Sequence, residues 1–225
     1  REGANASRAE TCEVTHNDAA AFEDAIRQWR ASGGKGRPWQ VVESIYSMDG
    51  DFAPLADLLA IAERHDAFVV VDEAHATGVY GESGRGLTAA YGHADNIVVV
   101  HTCGKALGAV GALVTCTKVL RDFIINRCRP FIFAPAPSPL MAAAVREALR
   151  ILQEEPERQQ RLQALIAFTN REIGARNSWR SSGSQILPYI VGNNARTMTL
   201  AAALQKRGFD ARLPCRPVPR GCAFR

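Results

Sequence analysis

The chain has 225 residues, 47% hydrophobic and 22% charged, a balance typical of globular domains and enough for a sizeable core. Its formal charge is +4, with Arg212, Arg216, Arg220 and Arg225 unopposed after Asp210. No basic patch is interleaved with aromatics, so neither nucleic acid nor, without an apolar run of roughly 18 residues, a membrane is an expected partner. The N-terminus REGANASRAE lacks an apolar signal core, and because the chain begins with Arg1 rather than Met, an upstream part is expected to be absent. Cys12, Cys103, Cys116, Cys128, Cys215 and Cys222 form no CxxC pair, and no histidine pair stands at zinc-finger spacing. Scattered thiols of this kind predict a reducing, cytoplasmic setting and no metal site.

In chain order, residues 18–32 are predicted as a helix, capped by Asp18 and carrying Phe22, Ile26 and Trp29 at helical spacing. A Gly/Lys/Pro loop (32–38) leads to a short strand, Trp39 to Ser44, and a turn-rich stretch, Ser47 to Pro54. Leu55 to Arg64 is predicted as a helix with Leu58, Leu59 and Ile61 toward a core. Phe68 to Val71 is an apolar, β-branched run suited to a buried parallel strand, and it ends at Asp72. Gly78 to Gly86 is a glycine-rich loop. Ile97 to Val100, ending at His101, and Gly111 to Cys116 are further strands. Leu140 to Glu154 is a long helix, continued by polar helix over 155–180. Ser184 to Gly192 is predicted as a strand, and Arg196 to Arg207 as a helix stopped by Gly208.

Alternating strands and helices predict an α/β fold with a mainly parallel central sheet flanked by helices. Residues 1–150 would form part of a large domain, and 151–225 a connecting helix and part of a small C-terminal α/β domain. Ligands in such sheets gather at the carboxyl ends of strands. Three polar clusters fall there: SMDGD, DEAHATG and HTCGK.

Asp72 stands at a strand end with His75 three residues on, so both can approach one ligand; a turn cap is the competing role for the aspartate. Lys105 lies among Gly104, Ala106, Gly108 and Ala109, small neighbours that would admit a flat ligand and strip water from the amine. The competing role is an exposed lysine in a glycine loop. It is not a phosphate-loop lysine, because Val99 and Ala106 stand where that motif needs Gly and Ser/Thr, and no GxGxxG fingerprint is present. An amine, a carboxylate and an imidazole together suit pyridoxal 5′-phosphate (PLP). The amine would hold the cofactor covalently, the carboxylate would keep a proton on the ring nitrogen, and the imidazole would meet the phenolic oxygen.

VVESIYSMDGDFAPL, VVVDEAHATGVYGESGRGL and VVVHTCGKALGAVGALV together resemble the α-oxoamine synthases, a family of fold-type I PLP enzymes, over about His16 to Gly208. The resemblance implies Lys105 as the covalent anchor and proton-transferring base, Asp72 at the pyridine nitrogen, and His75 with Ser47 at the phenolic oxygen. It also implies Thr102 at the phosphate and Ala74 against the ring face. It implies decarboxylative condensation of an amino acid with an acyl thioester, borne by coenzyme A or a carrier protein, in a homodimer with a shared active site. L-alanine and a pimeloyl thioester are the expected substrates, with glycine or serine as the alternative amino acid.

Against this stand simpler roles. Ser47 and Asp49 to Asp51 can merely form a turn, and Thr102 can bond backbone at a strand end. His16 reads as a helix-entry residue and Cys103 as a small buried residue, while His65, His93 and His101 receive no assignment. The pattern also departs from the family. Its glycine-containing cofactor loop, ring-stacking histidine and acyl-substrate arginine cannot be located. Pro135 stands where a hydroxyl usually reaches the partner subunit's phosphate, and the substrate-carboxylate arginine cannot be chosen among Arg212, Arg216 and Arg225. An inactive fragment or a non-catalytic partner subunit is therefore the alternative to an active enzyme.

Overall fold

The computed structural model describes residues 4, 6, 7, 9–92, 94–175 and 181–210. His93 and the C-terminal arginines and cysteines beyond residue 210 lie outside them. Four strands form one sheet in the order β1-β2-β3-β4: β1 Trp39–Glu43, β2 Phe68–Asp72, β3 Ile97–Thr102 and β4 Ala112–Thr115. The first three are parallel and β4 runs antiparallel to β3, so the mainly parallel α/β sheet read from the sequence is present.

The register sorts the side chains between two faces, since in-register partners point the same way. Val42, Val69, Val71, Ile97 and Val99 are buried together with Leu55, Leu58 and Ala62 of helix α2, Leu55–Arg64. Helix α1, Ala19–Ala31, adds Phe22 to the same side and is capped as expected, the Ala21 amide donating to the Asp18 carboxylate at 3.1 Å. The opposite face carries Trp39, Val41, Phe68, Val100 and Val114. The Trp39 and Phe68 rings stack at 4.6 Å, yet Trp39, Val41 and Val114 remain 51, 54 and 50% exposed. This apolar face lacks a covering layer among the described residues.

Glu73, directly after β2, is fully buried. Its carboxylate accepts the Ser44 hydroxyl at 2.9 Å and the Thr88 amide at 2.6 Å. It thereby ties the end of β1 to the chain beyond the glycine loop. Gly86 adopts φ +90°, and a Cβ there would come within 2.7 Å of the Glu73 carboxylate, so glycine is required on both grounds.

Beyond the sheet, α3 (Lys118–Arg127) and α4 (Arg129–Ile132) occupy a stretch where the sequence predicts no element. Helix α5, Pro139–Glu154, matches expectation, and the polar helix expected over 155–180 forms as far as Gly174 but does not run on unbroken from α5; 176–180 lie outside the described residues. A break at Glu155 precedes α6, Pro156–Gly174, because proline at 156 cannot donate the next helical hydrogen bond. The strand predicted over Ser184 to Gly192 is likewise absent. There the chain bonds to side chains instead of a neighbouring strand: the Ser184 amide donates to the Ser182 hydroxyl (3.2 Å) and the Ile186 amide to the Ser184 hydroxyl (3.1 Å). Pro188 also lacks a ladder donor. Helix α7, Asn194–Lys206, closes the described chain, with Gly208 at φ +85° just past its end.

Candidate active site at the strand ends

The parallel register brings Glu43, Asp72, Val100 and Val114 into one transverse row on the uncovered face, at the carboxyl ends of β1 to β3. Thr102, two residues beyond Val100, shares that face and is half-buried. Asp72 plays the turn-cap role as well, since its Oδ1 accepts the Ala74 amide at 2.8 Å. That bond occupies one oxygen, fixes the carboxylate's orientation and leaves its other oxygen for a ligand.

His75 is the electrostatic meeting point. Burial pushes its imidazole below the ordinary value of 6.5, and the Lys105 ammonium pushes the same way, while the Glu43 and Asp72 carboxylates pull it up. The register independently sets Glu43 and Asp72 side by side at the ends of β1 and β2, on the loop side where His75 follows. The backbone carbonyl of His75 is held by the Gln185 side-chain amide at 2.6 Å, which tethers the loop to the chain beyond α6.

Lys105 itself is exposed, which corrects the expectation of a buried amine. Small neighbours do permit close approach, but they also leave the side chain open to solvent when no layer covers this face. The buried member of that segment is Cys103, at 1%, as expected of a small core residue.

Ser47 lies in the turn after β1, and that turn is held at both ends. Its amide donates to Glu43 Oε2 at 2.9 Å. At the far end Asp51 Oδ2 accepts the Asn17 side-chain amide at 2.8 Å and meets His16 Nε2 at 3.0 Å. His16 therefore braces a turn rather than merely opening a helix. Tyr46, beside it, has its hydroxyl pushed up to about 12 by burial and by the Asp51 and Glu43 charges. His65 accounts for itself by pairing with Glu23 at 2.9 Å.

His101, unassigned in the sequence, points to the opposite face and meets the Thr77 hydroxyl at 2.9 Å and the Thr115 hydroxyl at 3.3 Å. A cavity of about 700 Å³ opens on that side, lined in part by Thr77, Arg85, His101 and Lys118; Asp72 and Lys105 do not line it. Glu43 is the residue that sequence reading passed over. Its signal was a charged side chain closing an apolar strand immediately before a turn.

The donor set suits PLP. An amine, a carboxylate already oriented by backbone, an imidazole of lowered basicity and two hydroxyls, on Ser47 and Thr102, match the groups that a phosphorylated pyridine aldehyde presents. The sheet has the architecture of the fold-type I PLP-dependent transferases. The chain belongs to the aminotransferase class I and II family, whose model matches residues 1–219. It is 38% identical to the 8-amino-7-oxononanoate synthase of Chromobacterium violaceum over 92% of this chain and 53% of that protein. It is 40% identical to that of Anaeromyxobacter dehalogenans over 98% of this chain and 55% of that protein. Among solved structures, Sphingomonas wittichii serine palmitoyltransferase superposes with a TM-score of 0.81 at 27% identity, over 96% of this chain and 55% of that one. The 8-amino-7-oxononanoate synthase of Francisella tularensis gives 0.78 at 25% identity, over 95% of this chain and 62% of that one. The chain thus spans a little over half the length of the curated relatives it matches. Both kinds of neighbour are α-oxoamine synthases, in keeping with the resemblance carried by the three strand-end motifs.

Proposed function

We propose that the protein to which this chain belongs condenses an amino acid, L-alanine, with a pimeloyl thioester, releasing CO2 and the free thiol carrier and giving 8-amino-7-oxononanoate for biotin synthesis. The observation that carries this reading is the parallel register, which sets Asp72 beside Val100 at the carboxyl ends of β2 and β3, two residues before Thr102 and five before Lys105, with the Asp72 carboxylate turned by the Ala74 amide. The 37–40% identity to 8-amino-7-oxononanoate synthases supports the choice of substrates.

Bound there, PLP supplies an electron sink for the amino acid's α-carbon. Lys105 holds the cofactor through Nζ and afterwards accepts and returns a proton at that atom. Asp72, turned by the Ala74 amide, would hold a proton on the ring nitrogen in a charge-assisted hydrogen bond, roughly twice as strong as a neutral one. His75, neutral over a wider range than a free histidine, donates to or accepts from the phenolic oxygen beside Ser47. Thr102 would bind the phosphate, and Ala74 would offer a small apolar surface to the ring. The setting is a cytoplasmic homodimer with residues 1–150 in the large domain. In that dimer the uncovered apolar face and the exposed Lys105 become enclosed, which excludes water from the proton transfers.

Two observations favour a second reading, a non-catalytic subunit: Lys105 is exposed, and Pro135 offers no hydroxyl. Release of labelled CO2 from carboxyl-labelled L-alanine, dependent on pimeloyl thioester, decides the matter in the full-length protein. No release with any amino acid sinks the enzyme reading. Release from glycine or serine but not alanine moves the reaction to another α-oxoamine.

A further inference from the structure

We propose that Glu43 is a positioning residue that aims the Ser47 hydroxyl at the cofactor, an inference that rests on the reading of this site as a PLP site. Glu43 ends β1 in register with Asp72, so two carboxylates stand side by side on neighbouring strands. Like charges directly opposite one another in a sheet destabilise it. A carboxylate at 43 therefore costs stability unless something nearby offsets it.

One contact does so. The Ser47 amide donates to Glu43 Oε2 at 2.9 Å, a charge-assisted bond that crosses the strand-to-turn corner. It sets the path of the chain at Ser47, and hence the direction of its Cα–Cβ bond. The base of the turn is closed independently: Tyr46 donates its amide to the Asp51 carbonyl at 3.0 Å, the Gly50 amide donates to the Tyr46 carbonyl at 2.8 Å, and Asn17 and His16 hold the Asp51 carboxylate. Within that closed turn the Glu43 bond sets Ser47, and its release alone would let Ser47 swing. The turn would keep its fold but lose the aim of its hydroxyl. Glu43 need not touch the cofactor to act in this way. It acts through Ser47.

The test is a double-mutant cycle on PLP affinity, read by equilibrium binding in the full-length protein and paired with melting temperature. Glu43→Met keeps the side chain's length and removes the acceptor. Glu43→Gln keeps an acceptor for the Ser47 amide and removes the charge. We expect Glu43→Met and Ser47→Ala each to weaken PLP binding about tenfold, the scale of one hydrogen bond to a charged group. Glu43→Gln should retain affinity within about twofold, and the Glu43→Met/Ser47→Ala pair should bind no more weakly than Ser47→Ala alone. Melting temperatures of the Glu43 variants should stay at or above that of the parent, because a like-charge contact with Asp72 is removed. Additive effects in the pair, a Glu43→Gln variant as weak as Glu43→Met, or a Glu43→Met variant with parental affinity each overturn the proposal. A parent protein that fails to bind PLP overturns the cofactor reading instead.

Discussion

Asp72 caps a turn and is proposed to meet the cofactor's ring nitrogen, two roles that a single substitution separates. As a turn cap it needs only an oxygen to accept the Ala74 amide, which asparagine also supplies. As a partner for a protonated ring nitrogen it needs a negative charge, which asparagine lacks. Asp72→Asn is therefore expected to melt within a few degrees of the parent while PLP affinity and turnover fall by tenfold or more, measured by equilibrium binding and steady-state kinetics. A variant that unfolds yet turns over would reverse the assignment. His75 and His101 make a pH prediction. Burial depresses both imidazoles from the ordinary 6.5, against upward pulls from Glu43 and Asp72 on His75 and from Glu73 on His101. Above 6.5 they are neutral folded or unfolded. As pH falls through 6.5 the unfolded chain takes up protons first, so stability declines down to the folded-state values. Denaturant titrations across that window should show this decline, and His101→Gln should flatten it; an unchanged slope would contradict the burial of His101. The motifs made Asp72, His75 and Lys105 legible from sequence because each follows or closes an apolar β-branched run. Exposure of Lys105 was not legible, because covering layers are a tertiary matter that small neighbours do not determine.

The central elements were readable for equally physical reasons. Val-rich runs of four residues are too short for buried helices, and each became a parallel strand at the predicted place. LADLLAIAER carries its apolar residues on one helical face, and Leu58, Ile61 and Ala62 are buried there. The failures also have causes. SQILPYIVG has strand-like composition, but its serines satisfy the backbone locally and Pro188 lacks a donor. Helices α3 and α4 have no buried residues, so apolar periodicity facing a core gave no signal. At this scale the Glu73 tie is the most consequential contact that composition could not reveal. Gly86→Ala should destabilise the protein by about 1–3 kcal/mol in urea titrations, since it combines a positive φ with a clash against a buried carboxylate. Leu58→Ala, at a residue only 1% exposed, should cost about 2–5 kcal/mol. A Gly86→Ala variant of parental stability would show that the Glu73 loop is free to move.

For the molecule as far as the described residues go, the governing fact is a sheet buried on one face and largely open on the other, where Val98 is buried but Trp39, Val41 and Val114 are not, with its strand-end residues on the more open side. Phe123, Phe131, Phe133 and Leu140, on the helices that follow β4 and the chain between them, are also 61, 59, 73 and 70% exposed. Apolar surface of this extent favours association. The chain expressed alone should associate with rising concentration in light scattering and bind a hydrophobic dye, and a dye-free monomer at high concentration would show that this face needs no partner. No described helix is long and apolar enough to cross a membrane. The proposal stands or falls on one amine, just past the end of β3, serving a PLP site with Asp72 and His75. Borohydride reduction of the PLP-treated full-length protein, followed by peptide mapping, locates that amine. A phosphopyridoxyl group is expected on Lys105; a label confined to other lysines, such as Lys35, Lys118 or Lys206, or no label at all, would refute it.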